Sequence, residues 1–391
     1  MNRRKICVVT ATRAEYGLLL PLLIQLHANP GVDLQLVVTG SHLSARFGWT
    51  VRHIEEDGIP IAARVPISID DDSAIGVTES LAATAVGISR AFQELQPDLL
   101  VILGDRYEML GAAQAAMLAR IPIAHLHGGE ATEGLIDEAI RHAITKMSHL
   151  HFVAAEAFRH RVIQLGEAPE RVWTVGATGL DNIAQLPRVE RAELETVLGI
   201  ELRSPSFLVT HHPVTLQAGD AGTSIRTLLE ALDEFGGTIL ITGVNADPGN
   251  QALRREVEKF AASRRNRVLA VESLGTRRYL STAAVVDVVV GNSSSGLVEA
   301  PSLGTPTVDI GDRQRGRLYA PSVIHCSESE EDIRNAVRQA LTANHRTIAR
   351  QKRTPYGEPG AGQRIAAIVS SHRLEGLLLK RFHNLTGSTC P

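Results

Sequence analysis

Short apolar runs alternate with longer amphipathic stretches along most of the chain. In the first half, five β-rich runs begin at residues 6, 34, 99, 121 and 150, and helical spacing of apolar residues fills most of the intervals between them. Near-continuous apolar strands separated by helices are typical of a parallel sheet that is covered by helices on both faces. The pattern therefore predicts an α/β fold.

A second series of the same kind follows a charged segment at residues 186–205. Its strands begin at residues 207, 238, 267, 285 and 305. We therefore predict two Rossmann-like, doubly wound parallel-sheet domains that enclose an interdomain cleft. The first predicted domain covers residues 1–185 and the second covers 186–360. We expect a terminal helix in residues 361–391 to pack back toward the first domain.

The composition agrees with a globular protein and excludes several other classes. The chain has 391 residues, of which 44% are hydrophobic, so it can bury large cores. Its formal net charge is -3 and its basic residues are scattered, which argues against a nucleic-acid partner. No apolar stretch reaches the roughly 18 residues of a membrane span, and the N-terminus has no export pattern, so we expect a cytoplasmic protein without a membrane partner.

The cysteines carry no recognisable pattern. Cys7, Cys326 and Cys390 are far apart in the sequence, which fits neither a disulfide framework nor a zinc site. This agrees with a reducing compartment.

Candidate acid/base residues are concentrated in the stretch "HLHGGEATEGLIDEAIRH", residues 125–142. A predicted strand ends here, the Gly128-Gly129 pair opens a loop, and a helix follows. Within that helix Asp137 and Arg141 are four residues apart and are therefore neighbours on one face. In an open parallel sheet, ligands bind beyond the carboxyl ends of strands, where this loop is predicted to lie.

This stretch admits three interpretations: a metal site, an acid/base site, or only a polar loop that enters a helix. His125 and His127 are two apart, so on a strand both would point to the same face. The spacing from His127 to Glu130 lacks the helical H-E-x-x-H pattern and has no cysteine nearby, which favours an acid/base site over a metal site. Its candidates are His127, Glu130 and Asp137.

Arg13 and Arg106 are candidates for binding a phosphate. Arg13 lies where a dinucleotide-binding fold would carry G-x-G-x-x-G, of which only Gly17 is present, so no nicotinamide cofactor is indicated. An arginine before a helix N-terminus suits a phosphate, although a solvated turn is the alternative. Asp105 and Arg106 follow the strand at residue 99 and would border the crevice, unless Asp105 only caps the next helix.

Polar residues also follow the strands of the second half. His211 and His212 come after the strand at residue 207, and since adjacent strand residues point to opposite faces, we expect at most one to meet a ligand. Asn245 lies in the loop after the next strand, where a turn-forming role is the alternative.

The "GNSSSG" stretch, residues 291–296, suggests a phosphate site at a helix N-terminus. Ser293 and Ser294 precede a helix that we predict to begin near Leu297, so that hydroxyls and free backbone N–H groups converge. Glu299 would accept hydrogen bonds from ribose hydroxyls, and Arg313 adds positive charge at the next strand end. These loops indicate an enzyme that binds a nucleotide sugar through its diphosphate.

Eight ordered motifs resemble the hydrolysing UDP-N-acetylglucosamine 2-epimerases of sialic acid biosynthesis. They are "RAEYG", "GSHL", "GDRYE", "HLHGGE", "DEAIRHAITKMSH", "HHPVT", "GNSSSGLVE" and "GDRQRGR". The resemblance covers about residues 5–360 and implies the two-domain, glycosyltransferase-B-like fold, with UDP held mainly by the second domain. It also implies a homodimer or homotetramer and no cofactor.

The resemblance further implies roles for individual residues. The positions that correspond to UDP contacts are Arg13, Arg106, His212, Asn245, Ser293, Ser294, Glu299 and Arg313. Asp105 and Asp137 correspond to catalytic carboxylates, His212 is a second catalytic candidate, and Arg141 is expected to orient Asp137 and contribute to binding. Several relatives have Glu at the position of His127, so the acid/base role falls either to His127 or to Glu130.

The implied reaction has two stages. UDP leaves C1 as the C2 proton is removed, giving a 2-acetamidoglucal, and water then adds while C2 is reprotonated from the other face. UDP-N-acetylglucosamine would thereby give UDP and N-acetylmannosamine. Relatives with "H-x-H-G-G-E" also include enzymes of legionaminic acid synthesis that act on UDP-N,N'-diacetylbacillosamine, which is the alternative substrate.

Three other functions compete with this one. A glycosyltransferase would bind the same UDP-sugar but has no need of groups that reprotonate C2. A non-hydrolysing epimerase would differ in returning a UDP-sugar. A nucleotide-sugar sensor without activity could lose Asp105, Glu130 and Asp137, all of which are present.

Overall fold

The structure is a computed structural model that describes residues 3–214, 221–243 and 250–385. Two parallel sheets with helices on both faces form this part of the chain, which confirms the predicted doubly wound α/β class. The described residues form two compact units, each of which makes most of its contacts within itself. The first unit draws on Met1–Glu130, Ile136–Asp181 and Gly357–Pro391, and the second on Ala131–Leu135 and Asn182–Tyr356. The domain boundaries at residues 185 and 360 stay predictions.

The sheet of the first unit has seven strands in the order β3-β2-β1-β4-β5-β6-β7. Its strands are β1 Arg4–Thr10, β2 Val32–Thr39, β3 Ile61–Val65, β4 Leu99–Leu103, β5 Ile123–Leu126, β6 Leu150–Val153 and β7 Val172–Thr174. The first seven α-helices in chain order are α1 Arg13–Ala28, α2 Val51–Glu56, α3 Ala74–Leu95, α4 Tyr107–Leu118, α5 Asp137–Met147, α6 Glu156–Gln164 and α7 Gly179–Gln185.

The sheet of the second unit has six strands in the order β10-β9-β8-β11-β12-β13. Its strands are β8 Phe207–Thr210, β9 Ile239–Thr242, β10 Val268–Val271, β11 Val288–Gly291, β12 Thr307–Ile310 and β13 Val323–Cys326. The remaining helices are α8 Arg191–Leu198, α9 Ala221–Asp233, α10 Asn250–Ala262, α11 Gly275–Val285, α12 Ser295–Leu303, α13 Glu330–Ala340, α14 Ala343–Ala349 and α15 Ala361–Ser371.

Each sheet is buried on both faces because alternate strand residues enter different cores. In β1, Ile6 and Val8 pack with helices α1 and α15, whereas Cys7 and Val9 pack with α3 and α4. Full burial of an aliphatic side chain contributes about 1.5 to 3 kcal/mol, so a continuous apolar run is stabilised only between two helical layers. This is why the central strands were recognisable as unbroken apolar runs.

All ten strands that the sequence predicted are present, and the described residues form three more that it did not predict. The additional strands are β3, β7 and β13, and each lies at an edge of its sheet. An edge strand has a side that faces solvent, so it needs no long apolar run: β3 contains the exposed residues Ala62 and Arg64, and β7 has only three residues.

Helix α15 belongs to the first unit although it follows the second unit in the sequence. It packs against α1. Its N-terminus is capped from a distance by the fully buried Asp181, whose carboxylate accepts hydrogen bonds from the backbone N–H groups of Gly360, Ala361 and Gly362 at 2.5 to 3.0 Å. These are the donors that the helix itself leaves without a partner. Among the described residues, no helix is long and apolar enough to cross a membrane.

Candidate active site

Most of the predicted site residues of the first unit follow the carboxyl ends of three adjacent strands. The strand order reverses between β1 and β4, the position at which ligands bind in doubly wound sheets. Arg13 opens the helix after β1, and Asp105 and Arg106 follow β4. His127 follows β5, the next strand in the sheet. The topology thus brings residues from distant parts of the sequence to one edge.

Arg141 is the most buried charged residue of this group, with 1% of its side chain exposed. Its Nη2 donates to Asp105 Oδ2, and its Nη1 donates to Glu138 Oε2 at 2.6 Å and to the Glu130 carbonyl oxygen at 2.9 Å. Burial disfavours the charged guanidinium, but the surrounding carboxylates, Asp105 first among them, outweigh burial and raise the pKa of Arg141. Arg141 therefore remains a cation that joins three parts of the loop region.

These partners refine the expected role of Arg141. Its described ion pairs are with Asp105 and Glu138, and Asp105 is not the N-terminal cap of helix α4, because Arg106 occupies that position. Asp137 is the first residue of α5 and is partly buried. The expectation that Arg141 orients Asp137 stays a prediction.

His127 and Glu130 form a pair in the loop after β5. The Nδ1 atom of His127 lies 2.7 Å from Glu130 Oε1, and its Nε2 lies 3.1 Å from Thr178 Oγ1 and 3.5 Å from the Thr178 backbone nitrogen. Because a backbone N–H can only donate, these contacts arrange Nε2 as an acceptor and Nδ1–H as the donor to the carboxylate. These hydrogen bonds thereby favour the tautomer of His127 that carries its proton on Nδ1.

The backbone of this loop is unusual. His127 has a φ of 64°, a left-handed conformation that is uncommon for a residue other than glycine. Gly129 has a φ of 76°, and a Cβ atom there would lie 2.4 Å from the carbonyl oxygen of Phe158. The glycine is thus required both by conformation and by the close approach of helix α6. Strain of this kind concentrates at functional sites.

The expectation that His125 and His127 share one face of a strand is wrong, because β5 ends at Leu126, between them. His125 is fully buried, and its Nε2 lies 2.7 Å from the Gly104 carbonyl oxygen. Burial lowers the pKa of His125 to about 3, despite that hydrogen bond. His125 is a neutral core residue that supports the loop after β4.

Arg106 is held by a buried carboxylate that the sequence analysis did not single out. Its Nε donates to Glu108 Oε2 at 3.1 Å, and Glu108 is 1% exposed. Glu15 of helix α1 lies close enough to interact electrostatically with both residues. Burial, and then Glu108, raise the pKa of Glu15 to about 8, against the opposing effect of Arg106. Glu15 also forms the capping box of α1 with Thr12, just before Arg13.

In the second unit, Asn292 connects the loops that carry two predicted site residues. Its side chain makes reciprocal hydrogen bonds with the backbone of His212, at 2.7 Å to the N–H group and 2.8 Å to the carbonyl oxygen. The Asn292 carbonyl oxygen accepts from Arg313 Nη1 at 3.1 Å and from Gln314 Nε2 at 2.8 Å. Asn292 and Gln314 lie within two of the ordered motifs, but their roles could not be predicted because their partners are distant in sequence.

The serine cluster lies where it was predicted, but helix α12 begins at Ser295 rather than near Leu297. Ser294 is its N-terminal cap residue, and Ser293 precedes it. Glu299 lies in the second turn and is partly buried. The other candidate of this half, Asn245, lies outside the described residues.

His211 and His212 both follow β8, which ends at Thr210, so the expectation based on opposite faces of a strand does not apply to them, and that at most one of them meets a ligand stays a prediction. The Nε2 atom of His211 lies 2.9 Å from Ser224 Oγ of helix α9, and burial, followed by the charge of Arg313, lowers the pKa of His211 to about 4. Both histidines are buried in this structure, but the backbone of His212 is fixed by Asn292. No group of three His, Cys, Asp or Glu side chains that would hold a metal occurs in residues 3–214, 221–243 and 250–385.

Comparison with known proteins identifies the family. The family model described as UDP-N-acetylglucosamine 2-epimerase matches residues 24–370. The chain belongs to the UDP-N-acetylglucosamine 2-epimerase family. This confirms the resemblance that the ordered motifs indicated.

Several members of this epimerase family are similar to the chain in sequence over most of their length. The GDP/UDP-N,N'-diacetylbacillosamine 2-epimerase (hydrolyzing) of Campylobacter jejuni is 38% identical, over 85% of this chain and 86% of the relative. The UDP-N,N'-diacetylbacillosamine 2-epimerase (hydrolyzing) of Legionella pneumophila is 35% identical, over 86% of this chain and 89% of the relative. A UDP-N-acetylglucosamine 2-epimerase of Neisseria meningitidis is 32% identical, over 87% and 88%.

The same fold is present in solved structures of epimerases. The crystal structure of UDP-GlcNAc 2-epimerase from Neisseria meningitidis bound to UDP-GlcNAc matches with a TM-score of 0.79 and 17% identity, over 93% of this chain and 99% of the other. A putative UDP-N-acetylglucosamine 2-epimerase from Listeria monocytogenes matches with a TM-score of 0.81 and 17% identity, over 98% and 100%.

Replacing Arg141 tests how much the buried cation stabilises the first unit. We expect Arg141→Met to lower the free energy of unfolding by about 3 kcal/mol, because removing one partner of a buried ion pair leaves the others without compensation. Arg373→Met removes a guanidinium whose ion pair with Glu375 is largely exposed, and it should cost about 0.5 kcal/mol or less. Urea denaturation followed by circular dichroism measures both; equal stabilities would contradict the central position of Arg141.

Proposed function

We propose that the protein is a hydrolysing 2-epimerase that converts a UDP-2-acetamido sugar to UDP and the free 2-epimer. The observation that carries this proposal is the arrangement after β4 and β5, where the His127–Glu130 pair and the Arg141-bound Asp105 lie in an epimerase-family chain. A glycosyltransferase does not need groups that remove and return a proton at C2 of the sugar.

The proposed reaction begins with elimination. A base removes the proton from C2 while the bond between C1 and the diphosphate oxygen breaks, so that UDP and a 2-acetamidoglucal are formed. Water then supplies hydroxide to C1, and an acid returns a proton to the opposite face of C2. Two groups of different protonation state are needed, and a site that contains both carboxylates and a histidine can supply them.

We assign these proton transfers to Asp105, Asp137 and the His127–Glu130 pair, with His212 as a further candidate. Hydrogen bonding fixes the tautomer of His127, and Glu130 can balance the charge if the ring accepts a proton. Asp105 is oriented by Arg141, which holds its carboxylate in one place. Positioning of this kind is a large part of the catalytic effect of an acid or base.

We assign the diphosphate to cationic and hydroxyl groups. Arg313, Ser293 and Ser294 of the second unit, together with Arg13 and Arg106, stabilise the charge that develops on UDP as it leaves. Glu299 accepts hydrogen bonds from the ribose. Asn292 of the second unit positions two of the proposed groups, because it forms hydrogen bonds both with the Arg313 side chain and with the His212 backbone.

Two substrates are candidates. UDP-N,N'-diacetylbacillosamine is favoured by the names of the relatives that are 38% and 35% identical, and UDP-N-acetylglucosamine by one that is 32% identical. The small difference in identity supports the first without deciding between them. Both sugars carry the 2-acetamido group on which the proposed chemistry depends.

Product analysis tests the reaction class. Incubated separately with each UDP-sugar, the protein should release UDP and a free 2-epimerised sugar from at least one of them, as measured by NMR. In D₂O the product should carry deuterium at C2, because that proton is exchanged with solvent. Accumulation of an epimerised UDP-sugar without UDP would instead indicate a non-hydrolysing enzyme.

Asp137 tests the acid/base assignment. Asp137→Asn keeps the size of the side chain but cannot take up a proton, so turnover should fall about 100-fold or more while UDP affinity is retained. Asp70→Asn removes the charge of an exposed carboxylate in the same unit and is expected to behave as wild type. Near-normal turnover of Asp137→Asn would exclude the assignment, and a loss of wild-type activity in EDTA that a divalent ion restores would replace it with a metal site.

Arg313 tests the diphosphate site. Arg313→Ala should weaken UDP binding by about 1.5 to 3 kcal/mol, the usual contribution of a charge-assisted hydrogen bond. Arg265→Ala, at an exposed arginine of the same unit, is the control for net charge. Isothermal titration calorimetry gives both affinities; an unchanged value for Arg313→Ala would remove this residue from the site.

A further inference from the structure

Helices α5 and α6 of the first unit carry the same pattern of charged residues near their N-termini. The sequences are "EAIRH" at residues 138–142 and "EAFRH" at residues 156–160, so each glutamate precedes an arginine by three positions and a histidine by four. Residues at these spacings lie on one face of a helix, where both basic side chains can reach the glutamate. The two helices thus place one local pattern in two different surroundings.

In α6 the pattern lies at the surface. The Oε1 atom of Glu156 is 3.3 Å from both Arg159 Nη1 and His160 Nε2. More than half of the Glu156 and His160 side chains is exposed, and the Arg159 side chain is 28% exposed. Water screens charges in such a position, so these residues have little influence on their neighbours.

In α5 the arginine of the pattern is buried, with 1% of the Arg141 side chain exposed. Glu138 uses its two oxygens for different partners: Oε2 accepts from Arg141 Nη1 at 2.6 Å, and Oε1 lies 3.0 Å from His142 Nε2. An ionised carboxylate only accepts hydrogen bonds, so His142 carries a proton on Nε2 in this contact. The Glu138 carboxylate is therefore held from two sides.

Arg141 joins Glu138 to Asp105, and we call these three residues the ion-pair chain. The guanidinium donates from Nη1 to Glu138 and from Nη2 to Asp105, so the two carboxylates are bound to different nitrogens of one buried cation. Interactions between buried charges are screened much less than those at the surface. Each carboxylate therefore influences how strongly the positive charge of Arg141 acts on the other. All three residues belong to the first unit.

The remaining titratable groups around the ion-pair chain come from neighbouring elements of the same unit. His125 of β5 interacts electrostatically with Asp105, but burial lowers the pKa of His125 to about 3, so it is uncharged near neutral pH. Glu130 interacts with Arg141 both electrostatically and through its carbonyl oxygen. The residues adjacent in sequence are Arg106 and Asp137. A change at Glu138 alters the charge at one end of the chain and leaves these groups in place.

We propose that Glu138 is a positioning residue that controls, through Arg141, how readily Asp105 accepts the proton from C2 of the sugar. This inference rests on the proposed function. In the elimination, the electron pair of the C2–H bond forms the double bond between C1 and C2, and the electron pair of the C1–O bond leaves with UDP. Asp105 takes up the proton. Glu138 balances part of the positive charge of Arg141, which would otherwise hold Asp105 in its ionised form.

The test is the pH profile of Glu138→Gln with the accepted UDP-sugar. This variant keeps the size of the side chain and an acceptor for Arg141, but it removes the negative charge. Asp105 should then take up a proton less readily, so the acidic limb of kcat/KM should move to lower pH by about 0.5 unit or more. Because a weaker base removes the proton less effectively, kcat should fall about three- to tenfold, while KM stays within about twofold.

Two further variants are the controls. Glu156→Gln makes the same change in the exposed pattern of α6 and should leave both the pH profile and kcat unchanged. Glu138→Asp keeps the charge on a shorter side chain, so its acidic limb should stay closer to that of the wild type than the limb of Glu138→Gln does. An unmoved limb in Glu138→Gln, or an equal movement in either control variant, would overturn the proposal.

Carbon-13 NMR of labelled aspartate carboxyl groups tests the interaction without requiring turnover. The Asp105 signal is the one that is lost in Asp105→Asn, and its titration midpoint should lie at lower pH in Glu138→Gln than in the wild type and in Glu156→Gln. If neither UDP-sugar is hydrolysed but the midpoint moves in this way, the proposed function fails while the interaction between Glu138 and Asp105 stands. If a UDP-sugar is hydrolysed and the midpoint does not move, the proposed function stands and this inference fails.

Discussion

The organisation of the first unit's candidate site depends on the burial of one guanidinium group. A cation removed from water must be surrounded by carboxylates and carbonyl oxygens, because an unpaired buried charge costs several kcal/mol. Arg141 meets this requirement with Asp105 after β4, the Glu130 backbone after β5, and Glu138 of its own helix. Compensating the charge of one residue therefore fixes the relative position of three segments that carry the proposed chemistry.

In the second unit, the loops that carry the proposed site residues are held together by a neutral side chain, that of Asn292. The Asn292 amide has one acceptor and two donors, and its side chain pairs with both polar groups of the His212 backbone. Its own carbonyl oxygen is left to receive Arg313 and Gln314. Asn292 holds Arg313 through a neutral carbonyl oxygen, whereas the Arg106 guanidinium is held by the carboxylate of Glu108.

Local sequence patterns predicted what depends on neighbours in the chain. Apolar runs located ten strands, among them the edge strand β10, and polar residues soon after the strands, such as Asp105 and His127, were correctly expected at strand ends. The edge strands β3, β7 and β13 were missed because exposure on one side relaxes the need for apolar residues. The partners Thr178, Glu108 and Asn292 were not singled out, since nothing in a single sequence shows that Thr178 lies beside a histidine 51 positions earlier. His125 and His127 look equivalent in the sequence, and only the end of β5 at Leu126 separates a core histidine from a loop histidine.

The placement of α15 has a consequence for biosynthesis. The last helix of the first unit is formed by residues that follow Tyr356. Asp181 can therefore accept its three hydrogen bonds only after Gly360, Ala361 and Gly362 have been synthesised. At about 5 to 20 residues per second, a ribosome needs roughly 9 to 35 seconds to synthesise the intervening chain. During that interval a carboxylate and the apolar face of α1 lack their native cover, so the nascent first unit is a natural client for chaperones even after all seven of its strands have emerged.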